Sequence, residues 1–263
     1  MLECALMDTN LSISRRDVIA SRLAAGHAVV AGSLATEFAV SEDAIRRDLR
    51  ALAAEGLCRR VYGGALPISP ATIPLSVRLG EDASSKLALA RAGVGSIHPR
   101  DLIFLDSGST NLAVVEALPE DAELTVATNA PDIAAMALRR GDLSVIMVGG
   151  MVDPVNGGCV DSIAVRAVAR MRFDRAFIGA CAISATGVSA FHLADATFKR
   201  VVITQSEQVI VLATTDKLGG GAPHEVASFA QVGLLVIEAS ATEAQRAALD
   251  AGGCVRLLIA DPA

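Results

Sequence analysis

From residue 102 onward the chain alternates short apolar runs with helix-period patterns, and that alternation limits its fold more than any other feature. Residues 102–105 precede a helical pattern over 112–118, 124–127 precede 133–138, and 144–148 precede 163–171. Residues 176–178, 209–212, 234–237 and 254–259 are further strand candidates. Apolar runs of this length, separated by helices rather than by hairpin turns, predict a mostly parallel sheet covered on both faces. The chain has 263 residues, 52% of them apolar, which is enough for such a domain and a smaller one besides. It has no tryptophan and one tyrosine, so its core is expected to be aliphatic and alanine-rich.

The smaller domain is read from residues 14–66. Ser41 is placed to cap a helix whose first turn carries Glu42 and Asp43, where the helix dipole favours negative charge. Ile45, Leu49 and Leu52 form one apolar stripe, which leaves Arg46, Arg47 and Arg50 on the wet face. Gly56 is positioned to end the helix, and residues 57–62 read as a basic strand turned at Gly63-Gly64. Upstream, residues 14–24 turn Val18, Ile19 and Leu23 inward, and residues 33–38 turn Leu34, Ala35 and Phe38 inward behind a Ser33 cap. The tight joint at Ala39-Val40-Ser41 gives the spacing of a helix-turn-helix, in which the second helix enters the major groove. A charge run alone usually marks only a solvated face; the paired upstream helices favour a DNA reader.

Charge supports this division. The net charge is −6, but residues 12–66 carry +2 and residues 67–263 carry −6. A footprint of +2 is small, so DNA affinity is expected to need a homo-oligomer, a dimer or tetramer. The five cysteines are scattered, with no C-x-x-C pair, and are expected to be reduced thiols rather than disulfides or metal ligands. No run is long and apolar enough to span a bilayer, and residues 1–13 do not read as a signal peptide, so a cytoplasmic protein with a disordered leader is expected. Residues 67–80, rich in proline, read as an extended linker to a domain at 81–263.

In a parallel sheet, ligands bind beyond the carboxyl ends of the strands. Three loops there have suitable chemistry: Asp106-Ser107-Gly108-Ser109-Thr110-Asn111, Thr128-Asn129-Ala130-Pro131, and Gly149-Gly150. The first opens a helix, whose N-terminal amides suit an anion. One such loop is more often a capped turn; three at successive strand ends favour a ligand. Among twenty arginines there are three lysines, Lys86, Lys199 and Lys217. Asp195 and Lys199, one helical turn apart, read as a surface ion pair. For Lys217, anion contact and a solvated charge stand level. His192 reads as a partly exposed loop residue, and Asp174-Arg175 as a structural charged pair.

Val40-Ser41, Ile45-Arg46-Arg47-Asp48-Leu49, Gly56-Leu57 and Arg59-Arg60-Val61-Tyr62-Gly63-Gly64 resemble the N-terminal signature of the DeoR family of bacterial repressors. Residues 104–110, Thr128-Asn129, Gly149-Gly150, 173–179, Asp195 with Lys199, and 213–217 resemble that family's sensor domain in order and spacing. The resemblance runs from Arg15 to about Glu238. It implies an α/β chain: an N-terminal winged helix-turn-helix joined to a mostly parallel sensor domain, similar in fold to ribose-5-phosphate isomerase and the CoA-transferase superfamily. It implies DNA contacts from Ser41, Arg46, Arg47, Arg50, Arg59, Arg60, Tyr62, Gly63 and Gly64. It implies effector contacts from Ser107, Gly108, Ser109, Thr110, Thr128, Asn129, Gly149, Gly150, Lys199 and Lys217, with Asp106 facing sugar hydroxyls. Ala39 stands where the family commonly has a turn glycine, Ala44 where it has threonine, Asp161 where it has glycine, Asp195 where it has glutamate, and Thr214 where it has aspartate.

The expected function is a transcriptional regulator, a repressor of carbohydrate metabolism genes that binds double-stranded operator DNA under the control of a phosphorylated sugar. No cofactor, metal or membrane is called for. The alternatives are a sugar-phosphate isomerase or transferase with a DNA-binding head, for which Asp195 is the one motivated general base, and a constitutive DNA binder with a defunct site.

Overall fold

A computed structural model describes residues 14–24, 29–67, 75–254 and 256–262. The expected leader at 1–13, and residues 68–74 of the expected linker, lie outside them. The chain divides into two compact units, Met1–Ile68 and Ser69–Ala263.

In the first unit the order is α1 (Arg15–Ala24), β1 (Val29–Val30), α2 (Ala31–Glu37), α3 (Glu42–Ala54), β2 (Cys58–Val61) and β3 (Gly64–Pro67). The strands form one antiparallel sheet in the order β1-β3-β2. Ile19, Leu23, Leu34, Ile45, Leu49 and Leu52 are buried together under it. Each such side chain contributes roughly 1.5–3 kcal/mol by leaving water. Arg15 of α1 reaches across to Asp48 of α3 at 2.6 Å and fixes the two helices on each other. The α3 reading holds: Ser41 accepts a hydrogen bond from the Ala44 amide, and Ile45, Leu49 and Leu52 face inward. The α2 reading needs correction. That helix starts at Ala31, directly after β1, so Ser33 lies inside it and caps nothing. The two-residue strand that sets this start is too short to leave a periodic signal.

Between α2 and α3, Ala39 adopts the left-handed conformation with φ of 52°. Glycine enters that region freely, whereas an L-residue with a Cβ pays roughly 1 kcal/mol or more. The turn closes through the Val40 amide to the Ala35 carbonyl at 3.0 Å. At the wing tip the paired glycines have separate reasons. Gly63 has φ of 82°, and a Cβ on Gly64 would stand 2.0 Å from the Val29 carbonyl oxygen, where β1 pairs with β3.

The second unit runs α4 (Leu75–Arg78), α5 (Ala83–Val94), β4 (Leu102–Leu105), α6 (Ser109–Ala117), β5 (Thr125–Thr128), α7 (Pro131–Arg140), β6 (Ser144–Met147), β7 (Val152–Asp153), β8 (Gly158–Cys159) and α8 (Ser162–Val168). It continues with β9 (Phe173–Gly179), β10 (Ala182–Ser184), β11 (Gly187–Ala190), α9 (Leu193–Thr204), β12 (Ser206–Ala213), β13 (His224–Ala227), β14 (Leu234–Ile237), α10 (Glu243–Ala251) and β15 (Leu257–Ile259). Seven strands form one parallel sheet in the order β15-β14-β12-β9-β4-β5-β6. Alternate residues feed two cores. Phe104, Ala176, Ile178, Val209 and Val211 pack on one face, and Ile103, Leu105, Phe177, Ile210 and Leu212 on the other. The strands β10, β11 and β13 make a small separate sheet. The linker reading is corrected at its end, because residues 75–78 are helical rather than extended.

The strand order reverses between β4 and β9: from β4 the chain steps outward through β5 and β6, then returns to β9 and steps the other way. The splayed loops at such a reversal leave a crevice at the carboxyl ends of the strands. Asn111 bridges it, donating to the carbonyls of Asp106 and Phe177 at 2.9 and 3.0 Å.

Candidate functional site

The crevice holds a narrow cavity of about 30 Å³ lined by Ser107, Gly108, Ser109, Thr110, Lys199 and Lys217, and also by Arg78, Asn111, Asn156 and Cys181. A wider cleft of about 330 Å³ shares Arg78, Ser109 and Lys217 with it and adds Glu81, Asp82, Lys86, Asp216 and Glu238. The loop after β4 turns through Gly108 into the amino end of α6, so the first amides of that helix face the cavity wall. Thr110 is 5% exposed and its hydroxyl has no partner among the described residues. A buried hydroxyl without a partner costs about 1–3 kcal/mol, which an incoming polar group would relieve.

Beside this loop lies a buried charge cluster. Lys199 is 4% exposed, which corrects the surface-pair reading. Its ammonium sits 2.6 Å from Asp195 and 3.5 Å from Asp106. The spacing of four residues put acid and base on one helix face, but that face is turned inward, with Phe198 and Val202 of the core beside it. Asp106 is completely buried and accepts from the Gly179 amide at 2.9 Å. The expectation that it faces sugar hydroxyls is therefore corrected: it faces Lys199 and the last residue of β9. Burial pushes the Asp106 carboxyl up to about 6, with Asp195 adding to the push and Lys199 opposing it. Burial also works against the Lys199 charge, but the two facing carboxylates outweigh it and hold the ammonium above its ordinary value.

Lys217 is half-buried. Burial pushes its ammonium below the usual lysine value, Arg78 and Lys86 add to this, and Asp216 and Cys181 oppose it. Burial likewise lowers Arg78. Two cations whose charged forms are disfavoured thus line one cavity, and an anion placed between them would restore both.

Other expected residues do not reach the cavity. Thr128 and Asn129 are fully buried behind it. The Thr128 hydroxyl donates to the Leu105 carbonyl at 2.7 Å and accepts from the Ala130 amide, while Asn129 accepts from the Ser107 amide at 3.0 Å and donates to the Cys159 carbonyl. They hold the loop in place. Gly149 and Gly150 are exposed after β6 and line neither cavity. Next to them Asp161 caps α8 and accepts from the Met151 amide at 2.8 Å. Asp174 and Arg175 do not pair with each other, because neighbouring strand residues point to opposite faces. Asp174 accepts from the Leu102 amide and Arg175 pairs with Asp101. His192, read as partly exposed, is exposed and directly precedes α9. Arg78, Asn156 and Cys181 escaped the sequence reading. For Asn156 a signal existed in the turn-forming Asp153…Asn156-Gly157; Arg78 lay in a stretch taken as linker. Among the described residues, no cluster of three His, Cys, Asp or Glu is placed to hold a metal ion.

In the first unit a concave surface of about 540 Å³ lies between α3 and the wing, lined by Glu42, Arg46, Arg60, Tyr62, Gly63 and Gly64 among others. Arg46 is tied to Glu42 at 2.6 Å and to Asp43 at 3.4 Å. Both pairs are half-exposed or more and therefore weak. Arg47, Arg50 and Arg60 are exposed and make no ion pair among the described residues. Tyr62 stands fully in solvent at the wing tip. The Arg59 side chain lies outside the described residues.

A helix-turn-helix with a basic wing, followed by a parallel α/β unit with a polar crevice, defines a ligand-sensing transcriptional regulator. The family model of the DeoR C terminal sensor domain matches residues 81–239, and that of the DeoR-like helix-turn-helix domain matches residues 15–71. The chain belongs to the DeoR family. It is 29% identical over 208 residues to the glycerol-3-phosphate regulon repressor of Escherichia coli, covering 78% of this chain and 82% of that one. It is 30% identical over 230 residues to the HTH-type transcriptional repressor GlcR of Bacillus subtilis, covering 87% and 88%. Ribose 5-phosphate isomerase A from Neisseria gonorrhoeae aligns over 51% of this chain and 53% of its own, with 14% identity and a TM-score of 0.37, too distant a likeness to carry any argument. The chain is thus a DNA-binding regulator and not an isomerase. Asp195, the base that the enzyme alternative required, is held by Lys199 and does not line the cavity. Among the described residues no helix is long and apolar enough to cross a membrane.

Proposed function

We propose that this chain represses carbohydrate-metabolism genes as a homo-oligomer in the cytoplasm and that a phosphorylated sugar modulates its hold on operator DNA. One observation carries the effector reading: the Ser107–Thr110 loop and the amino end of α6 share a cavity with Arg78 and Lys217, two cations whose charged forms burial disfavours. A phosphoryl group fits that lining, since helix amides, hydroxyls and ammonium or guanidinium groups are its usual partners. The wider cleft gives the remainder of the sugar room beside Asp82, Asp216 and Glu238. On the DNA side, Arg47, Arg50 and Arg60 supply phosphate and base contacts, and Arg46 joins them by exchanging its weak carboxylate partners for phosphate.

Thermal unfolding in glycerol 3-phosphate and glucose 6-phosphate, against glycerol and glucose, tests the effector reading. A ligand at about one hundred times its Kd adds roughly 2.7 kcal/mol to apparent stability. The phosphorylated compounds raise the Tm of the wild type and not that of Lys217→Ala. Equal responses from phosphorylated and plain compounds, or no loss in Lys217→Ala, would overturn the reading.

A further inference from the structure

We propose that Arg78 couples the effector cavity to the chain leading from the DNA-binding unit: an anion held by Arg78 fastens α4 onto the sensor. The inference rests on the anion-site reading above and adds the route by which occupancy reaches the DNA-binding unit.

The wing ends at Pro67, and α4 at Leu75–Arg78 is the first described element of the sensor after it. This one-turn helix is seated on the sensor through backbone and side-chain contacts. The Leu75 amide donates to the Val155 carbonyl at 3.2 Å, and the Arg78 guanidinium reaches the same carbonyl at 3.4 Å. Lys86 of α5 donates to the carbonyls of Arg78, at 2.6 Å, and of Glu81. Leu75 is buried against Gly157, where an added Cβ would come within 2.1 Å of its side chain. Gly157 follows Asn156, so the β7–β8 turn that seats Leu75 also supplies a wall of the cavity.

Arg78 of α4 lines both the narrow cavity and the wider cleft. A bound phosphoryl group therefore gains a partner on α4 and partners on α6 at once, and bridges the two. A ligand shifts a conformational equilibrium only by contacts that differ between the states. The contact with Arg78 is such a term, because it exists only when α4 is seated. Arg78 is thus a positioning residue for the response, distinct from Ser109 and Lys217, which would hold the anion wherever α4 lies.

Amide hydrogen exchange on the full chain tests this, with glycerol 3-phosphate and inorganic phosphate as probes and with thermal shift reporting binding. The reporters are the amides of Leu79, Gly80 and Glu81, which close the turn of α4 through the carbonyls of Leu75, Val77 and Arg78. In the wild type, saturating probe slows exchange both there and at the start of α6. Arg78→Ala still binds, about ten- to a hundredfold more weakly for the loss of one charge-assisted bond, and at saturation protects α6 but not α4. Arg78→Lys restores part of the α4 protection. Protection of α4 that persists in saturated Arg78→Ala, or a wild type that protects α6 alone, overturns the coupling role while leaving the anion site standing. A wild type that neither shifts in melting nor changes exchange anywhere overturns the anion site itself, and the coupling with it. Should Arg78→Ala fail to fold, Arg78→Gln carries the same comparison.

Discussion

Two buried carboxylates share one ammonium in this sensor, and the arrangement sets a pH dependence of known sign. Lys199 sits closer to Asp195 than to Asp106, at 2.6 against 3.5 Å, so Asp106 is the carboxylate left short of compensation. Its folded-state value of about 6 lies above the ordinary 3.8. The folded state therefore binds a proton more readily than the unfolded chain between those values. The ionised form costs stability in full above pH 6, and that cost is relieved as pH falls through 6 towards 3.8. Between pH 7 and pH 5 the relief amounts to about 1 kcal/mol. For a unit of this size that raises the Tm by roughly 2–4 °C. The carboxylates held low, Glu37, Asp142 and Asp161 among them, lose their contributions only below their ordinary values of 3.8 to 4.5, outside this window. Asp106→Asn keeps an acceptor for the Gly179 amide, leaves Lys199 paired with Asp195, and removes the titration. Calorimetric melting of wild type and variant at pH 7, 6 and 5 makes the comparison, and subtraction cancels every group the two share. A sensor transition that shifts equally with pH in both proteins would refute the reasoning.

Four further outcomes follow from single positions. Ala39→Gly relieves the left-handed turn between α2 and α3, and denaturant unfolding should show the DNA-binding unit unchanged to about 1 kcal/mol more stable, the gain being limited by glycine's larger unfolded-state entropy. Gly64→Ala drives a Cβ into the Val29 carbonyl and should cost roughly 2–4 kcal/mol, read as lost protection of the β1–β3 pairing in hydrogen exchange. Lys199→Arg preserves charge but adds bulk in a site 4% exposed, and should lower the sensor's stability by about 1–3 kcal/mol in urea titration. Arg47→Ala and Arg50→Ala should each reduce the salt slope of DNA binding by about one ion, measured by fluorescence anisotropy, while Arg46→Ala costs less because that side chain first gives up Glu42 and Asp43.

The parallel sheet was legible because its strands are apolar runs bounded by helices, and all seven strands fall on or beside the runs read from the sequence. The separate β10-β11-β13 sheet was not. Gly187–Ala190 and His224–Ala227 are short, and their residues carry neither a continuous apolar run nor a clean alternation. At the site, the first loop was legible because glycine, hydroxyls and a helix start fall together in Gly108-Ser109-Thr110. Burial was not. Asp195 and Lys199 look the same on a wet helix face as on one turned inward, and only the strand reversal at β4 and β9 decides between the two. Thr128 and Asn129 have the residue types of ligand contacts, but their polar atoms are spent on the backbone of the neighbouring loop, which sequence spacing does not reveal.

The division of cations follows from the same physics. Twenty arginines and three lysines make up the basic residues, and residues 14–66 contain arginine alone. A rigid, always-charged fork suits phosphate and base edges reached from an exposed helix. A site inside the sensor has different needs. Lys86 fits one ammonium between two carbonyls, and Lys199 fits one between two carboxylates. Lys217 stands half-buried beside Arg78. A guanidinium is too wide for the first two places. In the third, a compact ammonium whose charge burial already disfavours gains more from an arriving anion than one fully solvated. The three lysines therefore mark where the chain needs a small cation in a tight place, and all three come to the same crevice.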